Sequence, residues 1–88
     1  MSNAGLHAIT RVLFVDDSVE LQSAWARLLA RESDLKLVGS LLHLAGLAQA
    51  VRDLNPDVIV LDVSIGDADG LAAISEINAI APKVRVVI

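Results

Sequence analysis

Pro56-Asp57-Val58-Ile59-Val60-Leu61-Asp62-Val63-Ser64-Ile65-Gly66-Asp67-Ala68-Asp69-Gly70 decides how this chain folds. Val58 to Leu61 are continuously apolar and mostly β-branched, the pattern of a strand buried on both faces. Such strands belong to parallel sheets covered by helices. In open sheets of that kind, ligands gather at the carboxyl ends of the strands. The apolar run stops at Asp62, and a loop rich in Gly and Asp follows. A carboxylate at that point stands on the rim of the core, within reach of solvent and ions. Taken alone, Asp62 fits a turn or helix-capping role equally well, since Asp is common after strands.

A second stretch shifts the balance. Val12-Leu13-Phe14-Val15-Asp16-Asp17-Ser18 repeats the design: four apolar residues, then acid. Two such strands, neighbours in one parallel sheet, set their carboxylates side by side. Acids that close repel one another unless a cation lies between them. Hard divalent cations such as Mg²⁺ bind through carboxylate oxygens, carbonyls and water. Together the two stretches read as a small acidic metal cup.

Composition sets the bounds. A chain of 88 residues is one small domain. It is 55% apolar and 20% charged, which excludes disorder and implies a substantial core. The net charge of −4 argues against nucleic-acid binding through a basic face. The sequence has no Cys, hence no disulfide and no thiolate metal site. No apolar run approaches the roughly 18 residues that span a bilayer, and no secretory signal is evident, so a cytoplasmic location with no membrane contact is expected. Met1-Ser2-Asn3-Ala4 looks like a remnant of cloning, and residues 1–8 are read as a disordered lead-in to a domain over 9–88.

The rest of the chain alternates. A first strand is expected from about Ile9 to Val15, with Asp17 or Ser18 capping the next helix. Leu21, Trp25, Leu28 and Leu29 share one face of that helix, with Gln22, Arg27 and Arg31 largely off it. Leu35, Leu37 and Val38 form a short second strand closed by Gly39, and Leu44 to Leu54 a second helix stopped by Asn55-Pro56. The third strand runs from Asp57 to Leu61. Leu71, Ile74, Ile77 and Ile80 mark a third helix ended by Pro82, and Lys83 to Ile88 make a fourth strand. Strands alternating with helices imply right-handed βαβ crossovers and a parallel sheet. Neither Gly-x-Gly-x-x-Gly nor Gly-Lys-Ser/Thr occurs, which disfavours dinucleotide and P-loop chemistry. Trp25 reads as core, His7 and His43 make no credible metal site, and Asp69 suits the start of the third helix.

With these pieces in place, the sequence resembles the response-regulator receiver domain of two-component signalling. The resemblance rests on Val12-Leu13-Phe14-Val15-Asp16-Asp17, Asn55 to Asp62, and Asp69-Gly70-Leu71, all in register from about Arg11 to Ile88. It implies an α/β, flavodoxin-like (CheY-like) parallel sheet of four strands and three helices, incomplete at its C-terminal side. It also implies Asp62 as phosphoacceptor from a sensor histidine kinase or phosphotransfer protein. Mg²⁺ would be held by Asp16, Asp17, Asp62 and the backbone carbonyl of Ser64, and the Ser64 side chain would tune how long the phosphoryl group lasts. Val38-Gly39 and the Ala81 to Ile88 stretch look most like receivers that control transcription through a DNA-binding output domain, absent here.

Departures are visible. Ile65-Gly66 replaces the usual Met-Pro, and His43-Leu44 replaces a frequent Asp-Gly. The family's Ser or Thr after the fourth strand and Lys after the fifth would lie beyond Ile88. The expectation is therefore a truncated receiver, with self-association through the exposed fourth-strand edge. The alternative is a truncated or degenerate receiver acting as a non-switching interaction module. An Asp-nucleophile phosphatase of the haloacid-dehalogenase kind wants Asp-x-Asp, whereas Asp16 and Asp17 are adjacent, so the chain is read as no enzyme.

Overall fold

The computed structural model describes residues 9–62 and 70–88. The elements alternate as expected: β1 (Thr10–Val15), α1 (Val19–Leu29), β2 (Leu35–Leu41), α2 (Leu47–Leu54), β3 (Val58–Leu61), α3 (Gly70–Ile80) and β4 (Arg85–Val87). The four strands form one sheet in the order β2-β1-β3-β4, and every pairing is parallel. This is the flavodoxin-like arrangement implied by the sequence.

Alternation along β1 divides the molecule into two layers. Leu13 and Val15 face one side, where they pack with Ile59 and Leu61 of β3, Leu47 and Val51 of α2, and Ile77 of α3. Phe14 faces the other side and meets Trp25 of α1, with ring centroids 5.7 Å apart and planes tilted by 44°. Val12 to Val15 are all buried, so β1 has no solvent face. That accounts for its unbroken apolar sequence.

Three local findings refine the sequence reading. First, β2 does not close at Gly39 but continues to Leu41. Its pairing with β1 slips between Val12 and Leu13, where Leu37 is followed by Gly39 as partner. Val38 is the extra residue of a bulge, which sequence periodicity does not reveal. A Cβ on Gly39 would stand 2.7 Å from Leu54 Cδ1 and 3.4 Å from Leu13 Cδ1. Gly39 is thus a point of close helix approach within the strand.

Second, α2 begins at Leu47 rather than Leu44, because Gly46 adopts a left-handed φ of 83°. It ends at Asn55, also left-handed with φ 52°. The Arg11 side chain covers that end, donating to Leu54 O at 2.7 Å from Nη2 and to Leu54 O and Asn55 O at 3.2 Å from Nε. A cation there suits the partial negative charge of a helix C-terminus.

Third, α1 is rotated from the expected seat. Leu29 is its buried residue, while Leu21 and Leu28 are 43% and 55% exposed. Gln22, expected off the inner face, is half-buried and turned inward.

Replacing Gly39 by Ala should destabilise the fold by about 1 kcal/mol, the low end for overpacking, because the nearest atom is a side-chain tip. Urea unfolding of both chains measures this. An unchanged midpoint would show that Leu54 moves aside without loss.

Candidate metal centre

The pairing of β1 with β3 decides what its strand tips can do. Val15 lies opposite Leu61, the last residue of each strand. The Asp62 amide donates to Val15 O at 3.0 Å, carrying the pairing one step past the strand end. Asp16 and Asp62 therefore leave the sheet side by side. One carboxylate oxygen from each of Asp16, Asp17 and Asp62 lies within 4.8 Å of the others. The convergence expected from the two apolar-then-acid stretches is present.

The three acids differ in setting. Asp16 is 8% exposed, Asp17 is exposed and Asp62 is half-buried. Asp16 Oδ1 accepts from the Ser18 amide at 2.8 Å, a local turn that fixes the carboxylate. Ser18 then caps α1, its hydroxyl oxygen accepting from the Leu21 amide at 3.1 Å. One short segment thus supplies a strand end, two acids and a helix cap. Ser64 and the Ile65-Gly66 departure lie outside the described residues.

Gln22 is the residue that sequence reasoning missed. Its Nε2 donates to Asp16 O at 2.8 Å and to Leu41 O at 2.7 Å. Leu41 O also accepts from the Asp16 amide at 3.0 Å. No helical periodicity signals this. The usable hint is its position, six residues past Asp16 and one turn past the Ser18 cap.

The donor set suits a hard cation. All three ligands are carboxylate oxygens, with no nitrogen or sulfur donor among the described residues of the cluster. Mg²⁺ binds oxygen at about 2.1 Å and keeps several waters, so two of its ligands stand no more than about 4.2 Å apart. The three oxygens within 4.8 Å of one another are near enough to share such an ion, with water completing its shell. Beside the acids runs an open cleft of about 270 Å³ walled by Phe14, Leu21, Trp25 and Val60, with Asp16 and Asp62 at its edge.

The family model for the response regulator receiver domain matches residues 12–88. The chain belongs to the response regulator receiver family. Curated relatives include a protein-glutamate methylesterase/protein-glutamine glutaminase of Maricaulis maris, 37% identical over 81 residues. That match covers 92% of this chain and 20% of the relative. One of the same description from Nocardioides is 32% identical over 77 residues, covering 88% and 21%. The chain thus spans about a fifth of the length of these relatives. Among solved structures, the response regulator domain of Thermotoga maritima CheB superposes with a TM-score of 0.79 at 31% identity, over 89% of this chain and 57% of that one. A LuxR-family response regulator from Aurantimonas shares the fold, with a TM-score of 0.80 at 22% identity over 90% of this chain and 56% of that one.

This receiver domain is a two-component signalling module. Receiver domains bind Mg²⁺ at an acidic pocket, and they work with histidine kinases or phosphotransfer proteins. No helix among the described residues is long and apolar enough to cross a membrane.

Like charges held this close oppose folding when no cation is added. Asp17→Asn should therefore raise stability by about 0.5–1 kcal/mol in a chelator-containing buffer. Thermal unfolding at low ionic strength reads the effect, and a lower midpoint in the variant would contradict it.

Proposed function

We propose that this chain is a phosphoacceptor switch, with Asp62 as the acceptor and Asp16 and Asp17 as its cation-binding partners. The observation that carries this reading is the grouping of the three carboxylates at adjacent strand tips. In this reading the receiver occupies residues 9–88, after a lead-in over 1–8, and works in the cytoplasm. An Asp62 oxygen bonds to the phosphorus of a phosphohistidine as the phosphorus–nitrogen bond breaks. The histidine nitrogen leaves with the bonding electron pair, and an acyl phosphate remains on Asp62. Mg²⁺, held by Asp16, Asp17, Asp62 and the Ser64 carbonyl, would neutralise charge on the phosphoryl oxygens. The protein's own part is positional. β1 and β3 fix the acids on a buried frame, and the cleft beside them leaves Asp62 accessible to a donor.

The chemistry is on the chain itself, so the reading is of a signalling module rather than an enzyme. Its output would lie in a longer protein. Transcription control, expected from sequence, gains no support from the Aurantimonas regulator, whose likeness at 22% identity is one of fold. The curated relatives at 32% and 37% identity are methylesterases, so an effector of that class has the stronger support.

A second reading, a non-switching interaction module, is favoured by the outer edge of the sheet. Among the described residues β4 pairs with β3 alone, and Val87 and Ile88 are 51% and 72% exposed. Self-association through that edge would cover both backbone and apolar surface.

Incubation with Mg²⁺ and acetyl phosphate should add one phosphoryl group to the chain, read by intact-protein mass. The gain should vanish in Asp62→Asn and fall at least about tenfold in rate in Asp17→Asn. An unphosphorylated chain that elutes as a dimer on size exclusion would support the interaction module instead.

A further inference from the structure

Asp16 and Asp62 each follow directly on the last residue of a strand. Asp17 does not: it lies past the end of β1, before the Ser18 cap, and is exposed. The backbone that carries it is anchored at Asp16, and Asp16 is anchored on three sides. Its amide donates to Leu41 O, its Oδ1 accepts from the Ser18 amide, and its carbonyl accepts from Gln22 Nε2. The third bond alone comes from a side chain on a different element.

We infer that Gln22 is a positioning residue for the cation site, acting as a clamp that holds the Asp16-Asp17 backbone against the tip of β2. This rests on the reading of Asp16, Asp17 and Asp62 as the cation's ligands. The chemistry at position 22 is specific. Two carbonyl oxygens, of Asp16 and Leu41, face one nitrogen at 2.8 and 2.7 Å. Only a side chain with two N–H donors satisfies both, and an amide nitrogen has two. The orientation of the amide is set by these partners, since its oxygen would repel both carbonyls. Losing the clamp takes this partner from the Asp16 carbonyl, leaves Leu41 O with the Asp16 amide, and frees the peptide plane between Asp16 and Asp17. Both carboxylates move with that plane.

Two substitutions separate positioning from charge. Gln22→Glu keeps the size, removes the donors and adds a negative charge near a cation site. Gln22→Arg keeps forked donors and adds a positive charge. Electrostatics alone ranks Mg²⁺ affinity as Glu above Gln above Arg. The clamp ranks it as Gln, then Arg, then Glu, with Glu about tenfold weaker than the native chain, as for other groups that orient metal ligands. Mg²⁺ titrations followed by Trp25 fluorescence measure this, because the single Trp walls the cleft that Asp16 and Asp62 edge. Hydrogen exchange at the Asp16 amide without metal is the second readout, and it should quicken in Gln22→Glu and stay slow in Gln22→Arg.

If Gln22→Glu loses cooperative thermal unfolding, Gln22→Met, uncharged and without donors, takes its place with the same expected loss. Affinity in Glu or Met equal to or above that of the native chain would overturn the clamp while leaving the metal site intact. A native chain that binds no Mg²⁺ overturns the site itself, and the positioning role with it.

Discussion

The parallel pairing of β1 with β3 is the constraint on which the site depends. A one-residue slip would send Asp62 to the opposite face of the sheet and away from Asp16. The register is fixed at both ends of the shared ladder. At one end, the Asp62 amide meets Val15 O. At the other, Asp57 and Arg11 exchange bonds: the Asp57 amide donates to Arg11 O, and Asp57 Oδ2 accepts from the Arg11 amide, both at 2.8 Å. Between them Leu13 and Ile59 are fully buried, so the apolar pattern and the hydrogen bonds enforce the same alignment.

This alignment forces like charges together, and the surrounding structure has to hold them there. Three carboxylates within 4.8 Å repel, yet Asp16 has little room to retreat because it is buried and bonded to Ser18. The repulsion is opposed by packing that lies mostly on the other layer, where Val51, Leu47 and Ile77 close over β1 and β3. Stability in one layer thus holds a destabilising charge cluster at the sheet's end. Receiver domains, the family to which the chain belongs, bind Mg²⁺ at an acidic pocket, and this cluster has the composition of one.

The two faces of the sheet are not equally covered. Among the described residues α2 and α3 cover one face, while α1 alone lies on the other, against β2. The cleft beside Trp25 and the exposed Leu21, Leu28 and Val87 belong to that second face. Asp16 and Asp62 therefore stand at the edge of an open cleft with an apolar wall.

Much of this was written in the residues. Val58 to Leu61 and Val12 to Val15 are apolar without alternation, the pattern of strands in a helix-covered parallel sheet, and each run ends in acid; Val12 to Val15 are buried throughout, whereas Val58 and Val60 are only half-buried. The fold class, the order of elements and the identity of Asp16, Asp17 and Asp62 follow from that local pattern. The bulge at Val38, the left-handed start of α2 at Gly46, the rotation of α1 and the bonds of Gln22 do not. Two of these involve a partner distant in sequence: Leu54 against Gly39 beside the bulge, and the Leu41 carbonyl beneath Gln22. Periodicity records which side chains avoid water. Which carbonyl a buried amide finds is settled only when the strands come together.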